Sequence, residues 1–235
     1  MTQVVEEWVF DVRDRAAYAA EHVHGGIGVE PGEQLGARVA ALLPEGGRFV
    51  LAGSDAGEIG RAAGQLEAYG LRPERVVVGP PAPGTALATY PRATFRDLSR
   101  ARRERGETDL LGWDDEPFLP VVVLDVRETA EFAAGHLRGA VHVPLYELPD
   151  HIRQRVAALP ETQPKGVLGR LRAAFRGRRL PPPGARTRVW VHCADGSRAS
   201  VAAGVLERSG YEVTCLDDDL AAAATTGVVR LTSSF

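Results

Sequence analysis

Arg188-Val189-Trp190-Val191-His192-Cys193-Ala194-Asp195-Gly196-Ser197-Arg198-Ala199-Ser200 is the stretch that decides the reading. A short apolar run ends in a cysteine, a tight loop with a glycine follows, and Ala199 to Arg208 reads as a helix stopped by Gly210. Strand, loop and helix in this order place a thiol at the carboxyl end of a strand, the edge of an open α/β sheet where ligands sit. A thiol attacks as thiolate, and inward-pointing backbone N–H groups at a helix start favour an anion. The spacing therefore predicts a reactive Cys193 cradled by Ala194, Asp195, Gly196 and Ser197, with its pKa depressed. Gly196 supplies a backbone conformation that a side chain forbids. Arg198 closes the loop, either holding it by hydrogen bonds or meeting an anionic substrate. The plain alternative is a buried strand-end cysteine beside an ordinary turn; the glycine and arginine favour the reactive reading.

Cys193-Ala194-Asp195-Gly196-Ser197-Arg198 resembles the active-site loop of rhodanese-type sulfurtransferases, cysteine-x-x-glycine-x-arginine. Leu124-Asp125-Val126-Arg127-Glu128, Glu131-Phe132 and Gly135-His136-Leu137-Arg138-Gly139-Ala140 resemble the other signature of that family. The two signatures together are specific.

The 235 residues are enough for two compact domains, and 44% hydrophobic with 25% charged residues is a globular composition. A net charge of −3 gives no global pull toward nucleic acid or an anionic membrane. No apolar run approaches a membrane span, and Glu6 and Glu7 stand where a secretory leader would be basic and then apolar. Two cysteines, Cys193 and Cys215, make no disulfide framework and suit a reducing cytoplasm. Cys215, within Glu212 to Leu216, reads as a buried strand residue.

Strands alternate with helices from the start: Glu7 to Arg13, Asp14 to Glu21, a short strand ending at Val29, Glu33 to Leu43, Arg48 to Ala52, Ile59 to Tyr69, Arg75 to Gly79. This order implies a parallel sheet covered on both faces. The pattern then repeats. Val9-Phe10-Asp11-Val12-Arg13 matches Val123-Leu124-Asp125-Val126-Arg127, His22 matches His136, and Gly70 matches Gly210. The second alignment sets Gly53 where Cys193 stands and Glu58 where Arg198 stands, so the first copy lacks both nucleophile and arginine. It is read as catalytically dead, a packing or interaction domain. Members of the resembled family carry a helix ahead of the first strand; its absence points to a chain cut from something larger.

The expected layout is a degenerate rhodanese-like domain at 1–79, a proline-rich linker at 80–93, and a catalytic rhodanese-like domain at 94–235. Thr94 is expected to cap a helix from Phe95 to Glu104. A basic insertion at 161–188 holds eight Lys or Arg against Glu161 alone. It is read as a solvated surface loop or as a patch that steers anionic substrates or an acidic partner; RNA binding is the weaker reading, with Phe175 the one aromatic.

His22 and His24 lack the residues that would complete a zinc-hydrolase pattern, so no metal site is expected. His192 precedes the cysteine and points to the other face of its strand, which disfavours it as base for Cys193. Asp125 and Arg127 end a strand on the same sheet edge and are candidates to line the pocket. Their counterparts Asp11 and Arg13 persist in the dead copy, which favours a structural role.

The resemblance implies an α/β fold of two rhodanese-like domains, each a five-stranded, mainly parallel sheet with helices on both faces. The tandem is also similar to the rhodanese portion attached to metallo-β-lactamase-fold proteins of sulfide and persulfide metabolism. The implied activity moves a sulfane sulfur from thiosulfate or a persulfide to a thiol or cyanide through a Cys193 persulfide, with no cofactor, no nucleic acid and no membrane. Alternatives are a non-catalytic binding module, a sulfur-relay module working with a partner protein, and a cysteine phosphatase of related fold. That phosphatase has a longer loop than the four residues between Cys193 and Arg198. Asp195 places a negative charge in the loop, which is expected to weaken thiosulfate binding.

Overall fold

The computed structural model describes residues 7–104, 121–157, 180, 181, 183, 184 and 188–233. The chain divides into two compact units, Met1–Pro91 and Arg92–Phe235.

The first unit runs β1 (Trp8–Asp11), α1 (Arg15–Ala20), β2 (His22–Val23), β3 (Ile27–Gly28), α2 (Leu35–Leu42), β4 (Phe49–Gly53), α3 (Ala56–Glu67), β5 (Arg75–Val78) and β6 (Leu87–Ala88). Two of its helices, α1 and α3, start where a short polar side chain satisfies free amides. Asp14 accepts from the amides of Ala16 and Ala17, and Asp55 from those of Gly57 and Glu58. The main sheet has the order β3-β1-β4-β5, and all its pairings are parallel. Among the described residues it has four strands, not the five expected.

The second unit runs β7 (Arg92–Ala93), α4 (Phe95–Glu104), β8 (Val122–Asp125), α5 (Thr129–Ala134), β9 (His136–Leu137), β10 (Val141–His142), a 3-10 turn (Leu145–Glu147), α6 (Leu148–Ala157), β11 (Arg188–His192), α7 (Ser197–Arg208), β12 (Glu212–Leu216), α8 (Leu220–Thr225) and β13 (Leu231–Thr232). Its parallel sheet has five strands in the order β10-β8-β11-β12-β7. The fifth is β7, which lies just ahead of α4. In the first unit no described strand pairs with the corresponding edge of β5. Most of the segment 161–188 lies outside the described residues.

The segment expected to be a bare linker contains two short strands. β6 pairs antiparallel with β2 of the first unit, and β7 pairs with β12 of the second. Two-residue strands carry no periodicity by which a sequence could announce them. Thr94 opens α4 as expected: its amide and hydroxyl both donate to Asp97 Oδ2, at 2.9 and 2.6 Å.

The internal repeat is legible in strand register. Phe10 opposite Ile27 recurs as Leu124 opposite Val141, and Val9 opposite Val50 recurs as Val123 opposite Trp190. It extends to side chains. His22 stacks on Tyr18 and meets its carbonyl, as His136 stacks on Phe132 and meets that carbonyl.

Two features of the second unit position the site. β8 is buried on both faces along its length, as a central strand must be. α7 is buried from Ala199 to Leu206, and its run of alanine and valine fits a helix with little exposed face. Phe95, Leu98, Leu216 and Leu220 share a core that joins α4, β12 and α8. Truncating Phe95 to alanine there should cost about 3–5 kcal/mol.

Candidate active site

β11 runs up the middle of the five-stranded sheet and delivers Cys193 to its carboxyl edge, beside the end of β8. The chain then turns through Ala194 and Asp195 into α7. Gly196 stands at the helix start with φ +87°, in the left-handed region. A Cβ at that position would lie 3.0 Å from the Cα of Asp217 and closer still to its carboxylate. Both backbone conformation and space therefore demand glycine. Asp217 is itself fixed by an ion pair with Arg92, and the Leu220 amide donates to the Ala194 carbonyl at 2.9 Å. β7 and α8 thus clamp the loop from outside.

The Gly196 amide donates to Cys193 Sγ at 3.2 Å. The thiol donates to Asp195 Oδ1 at 3.5 Å, and the same oxygen accepts from the amide and hydroxyl of Ser197. Asp195 therefore shapes the turn as well as charging it. Cys193 is only 1% exposed. Burial pushes its thiol up, against the amides of Asp195 and Ala199 and the charge of Arg198, which favour the thiolate; the Asp195 carboxylate adds to the rise. The depressed pKa expected from the loop alone is thus corrected. The cradle acts in the expected direction, but desolvation outweighs it in the resting site.

Arg198 does not project freely toward substrate. Its two terminal nitrogens donate to the two carboxylate oxygens of Glu131 on α5, at 2.6 and 2.8 Å. Glu131 in turn accepts from the Glu128 amide in the capping box that opens α5. The paired arginine holds the Glu131 carboxyl below its ordinary range, and Glu131 raises the Arg198 guanidinium. Glu131 belongs to the site although the loop motif alone does not point to it. The available signal was its position in the second signature, together with the joint change of both partners in the first unit, where Ala17 and Glu58 stand.

His192 is buried, and its Nδ1 meets the Cys193 carbonyl rather than the thiol, in line with its expected place on the other face of the strand. Asp125 Oδ2 lies 3.5 Å from its Nε2. Desolvation pushes this imidazole below its ordinary value.

Asp125 and Arg127 are both buried and form a two-pronged ion pair, and Arg127 also donates to the Gly135 carbonyl at 2.7 Å. Asp11 and Arg13 repeat this arrangement, with Arg13 donating to the Glu21 carbonyl at 2.7 Å. The pair staples a strand end to the chain beyond the next helix, and a buried charge is held only where its partners are complete. Cys215 is buried within β12, opposite Val191. Among the described residues no three His, Cys, Asp or Glu side chains are grouped to hold a metal ion.

Residues 109–224 match the family described as the rhodanese-like domain. The chain carries a rhodanese-like domain. No curated protein matches the chain. Among solved structures it is similar to a rhodanese-like domain protein from Staphylococcus aureus, with 16% identity over 62% of this chain and 99% of that one, at a TM-score of 0.38. It is also similar to a thiosulfate sulfurtransferase from Pseudomonas aeruginosa, with 18% identity over 98% of this chain and 41% of that one, at a TM-score of 0.36. An uncharacterized protein from Saccharomyces cerevisiae shares 23% identity over 60% of this chain and 95% of that one, at a TM-score of 0.38.

Beside the loop of the rhodanese-like domain, the matching loop of the first unit is informative. Gly53 ends β4 as Cys193 follows β11, and a Cβ there would lie 2.9 Å from Glu58 Oε2 and from Ile59 Cγ1. That Glu58 oxygen accepts from the Ser54 amide at 2.7 Å. The first unit thus keeps an anion-favouring turn but fills it with its own carboxylate, leaving no room for a thiol. No helix among the described residues is long and apolar enough to cross a membrane.

Proposed function

We propose that the chain is a sulfurtransferase in which Cys193 carries a sulfane sulfur, and that the first unit is a degenerate, non-catalytic copy of the rhodanese-like domain. The observation that carries this reading is the Gly196 amide aimed at Cys193 Sγ from a strand-to-helix turn closed by Arg198.

The reaction is two displacements. Cys193 loses its proton, and the thiolate attacks the outer sulfur of the donor. The donor's S–S bond breaks, and its electron pair leaves with sulfite when thiosulfate is the donor. Cys193 then bears a persulfide. A thiol or cyanide, as nucleophile, attacks the outer sulfur, and the electron pair of the Cys193 S–S bond returns to Sγ as thiolate. The sulfane sulfur brings its own oxidation level from donor to acceptor, so the two displacements balance without an external oxidant, reductant or redox cofactor. Loop amides support the sulfur anion at both steps, and Arg198, fixed by Glu131, adds positive charge at the rim.

Cytoplasmic residence suits a working free thiol. Donor and acceptor are proposed as small molecules, with a sulfur-relay protein as the alternative acceptor. A non-catalytic binding role is the second reading, favoured by the 1% exposure of Cys193. Thiocyanate formation from thiosulfate and cyanide, with p-nitrophenyl phosphate hydrolysis run alongside, tests the set. Thiocyanate produced by the wild type and lost in Cys193→Ser supports sulfur transfer. Phosphate release alone would favour the phosphatase, and no turnover of either would favour a binding module.

A further inference from the structure

A cavity of about 290 Å³ opens in the second unit between α4, the turn after β9 and the chain from Gly227 to Arg230. It shares no residue with the loop from Cys193 to Arg198. Leu98 and Leu137, both buried, belong to its lining, and Ser99 ties its wall by donating to the Val228 carbonyl at 2.9 Å.

Three arginines from three separate segments converge on it: Arg102 of α4, Arg138 after β9 and Arg230 before β13. Among the described residues that line it, none is acidic. β13 and β9 pair antiparallel with Leu231 opposite Leu137 and Thr232 opposite His136, so Arg230 and Arg138 flank the same end of this two-stranded ladder. Arg102 is drawn to the same place, its Nη2 reaching toward the Arg138 carbonyl at 3.5 Å. A concentration of one sign of charge around a concavity raises the local concentration of counter-ions of the other sign. Guanidinium forks match the paired oxygens of carboxylates and phosphates. The volume lies at the lower end of ligand-pocket sizes, roughly 300–1,000 Å³, which fits a small molecule.

We propose that this cavity binds a small anion with two or more clustered carboxylate or phosphate oxygens, at a site separate from Cys193. The test is isothermal titration of the full chain with pyrophosphate and with citrate, repeated on an Arg138→Gln/Arg230→Gln variant and on Cys193→Ser. Saturable binding of either anion by the wild type and Cys193→Ser, weakened at least about tenfold in the double variant, is the expected result. Which anion binds more tightly distinguishes phosphate from carboxylate chemistry. The double variant is altered only at exposed side chains, and unchanged sulfur loading of its Cys193 checks its fold. Absence of binding means solvated arginines and overturns the proposal. Binding of equal strength in the double variant, which would locate the anion at the cysteine loop or the basic segment, also overturns it.

Discussion

Arg198 and Glu131, on different helices and 67 positions apart in the chain, form a two-pronged ion pair that ties the cysteine loop to α5. Glu131→Gln removes the charge that fixes the arginine while keeping one hydrogen-bond acceptor. Sulfur transfer should fall about tenfold, equivalent to about 1.4 kcal/mol of barrier. Stability should change by no more than about 1 kcal/mol, because both side chains retain access to solvent. Steady-state kcat/KM and a urea midpoint measure the two effects. Unchanged kcat/KM would show that Arg198 does not need its partner.

Gly196→Ala and Gly139→Ala form a matched pair. Both glycines have positive φ, but a Cβ at 139 meets nothing within 4 Å, whereas one at 196 meets Asp217. Gly139→Ala should cost about 1 kcal/mol and leave sulfur loading intact. Gly196→Ala should cost more and lose loading, because Asp217 and the clamp through Arg92 must move. Equal thermal shifts and equal loading would contradict the close packing at Gly196.

Asp195→Asn keeps the acceptor for Ser197 but deletes the charge facing the sulfur. The Cys193 pKa should fall and thiosulfate use should improve, by about 1 kcal/mol given the exposure of the loop rim. A less charged persulfide donor should respond less. Iodoacetamide alkylation rates against pH, with kinetics on both donors, provide the check. A raised pKa, or loss of activity with both donors, would show that the turn needs the carboxylate itself.

His192 makes stability depend on pH. Its folded pKa lies below the ordinary value of 6.5, so below that value the unfolded chain takes up a proton that the folded chain resists. Stability is therefore present above about pH 6.5 and lost as pH falls toward the folded value. Asp125 opposes this by favouring the imidazolium, while Arg127 and Arg102 reinforce it. Urea midpoints between about pH 7.5 and about pH 5.5 should fall, with a flatter slope in His192→Asn. Identical slopes would assign the acid sensitivity elsewhere.

The strands and helices that carry the site were legible because each is announced locally. Apolar runs end at Asp125 and Cys193, Thr94 caps α4, and the repeat fixes the register. What was not legible depends on distance or depth. The Arg198–Glu131 pair and the crowding of Gly196 by Asp217 join residues far apart in the chain, and the motif around Cys193 does not announce either contact. The direction of the Cys193 pKa turned on burial, which a loop motif does not disclose. β6 and β7 were hidden because two residues cannot show alternation, and β7 explains why the second sheet has a fifth strand.

The central claim is that Cys193 is the sulfur-accepting atom of this chain. Intact-mass spectrometry after exposure to thiosulfate and to glutathione persulfide tests it most directly, on wild type, Cys193→Ser and Cys215→Ser. The account predicts one added sulfur on the wild type and on Cys215→Ser, and none on Cys193→Ser. Sulfur retained by Cys193→Ser, or no sulfur on any of the three with either donor, would contradict it.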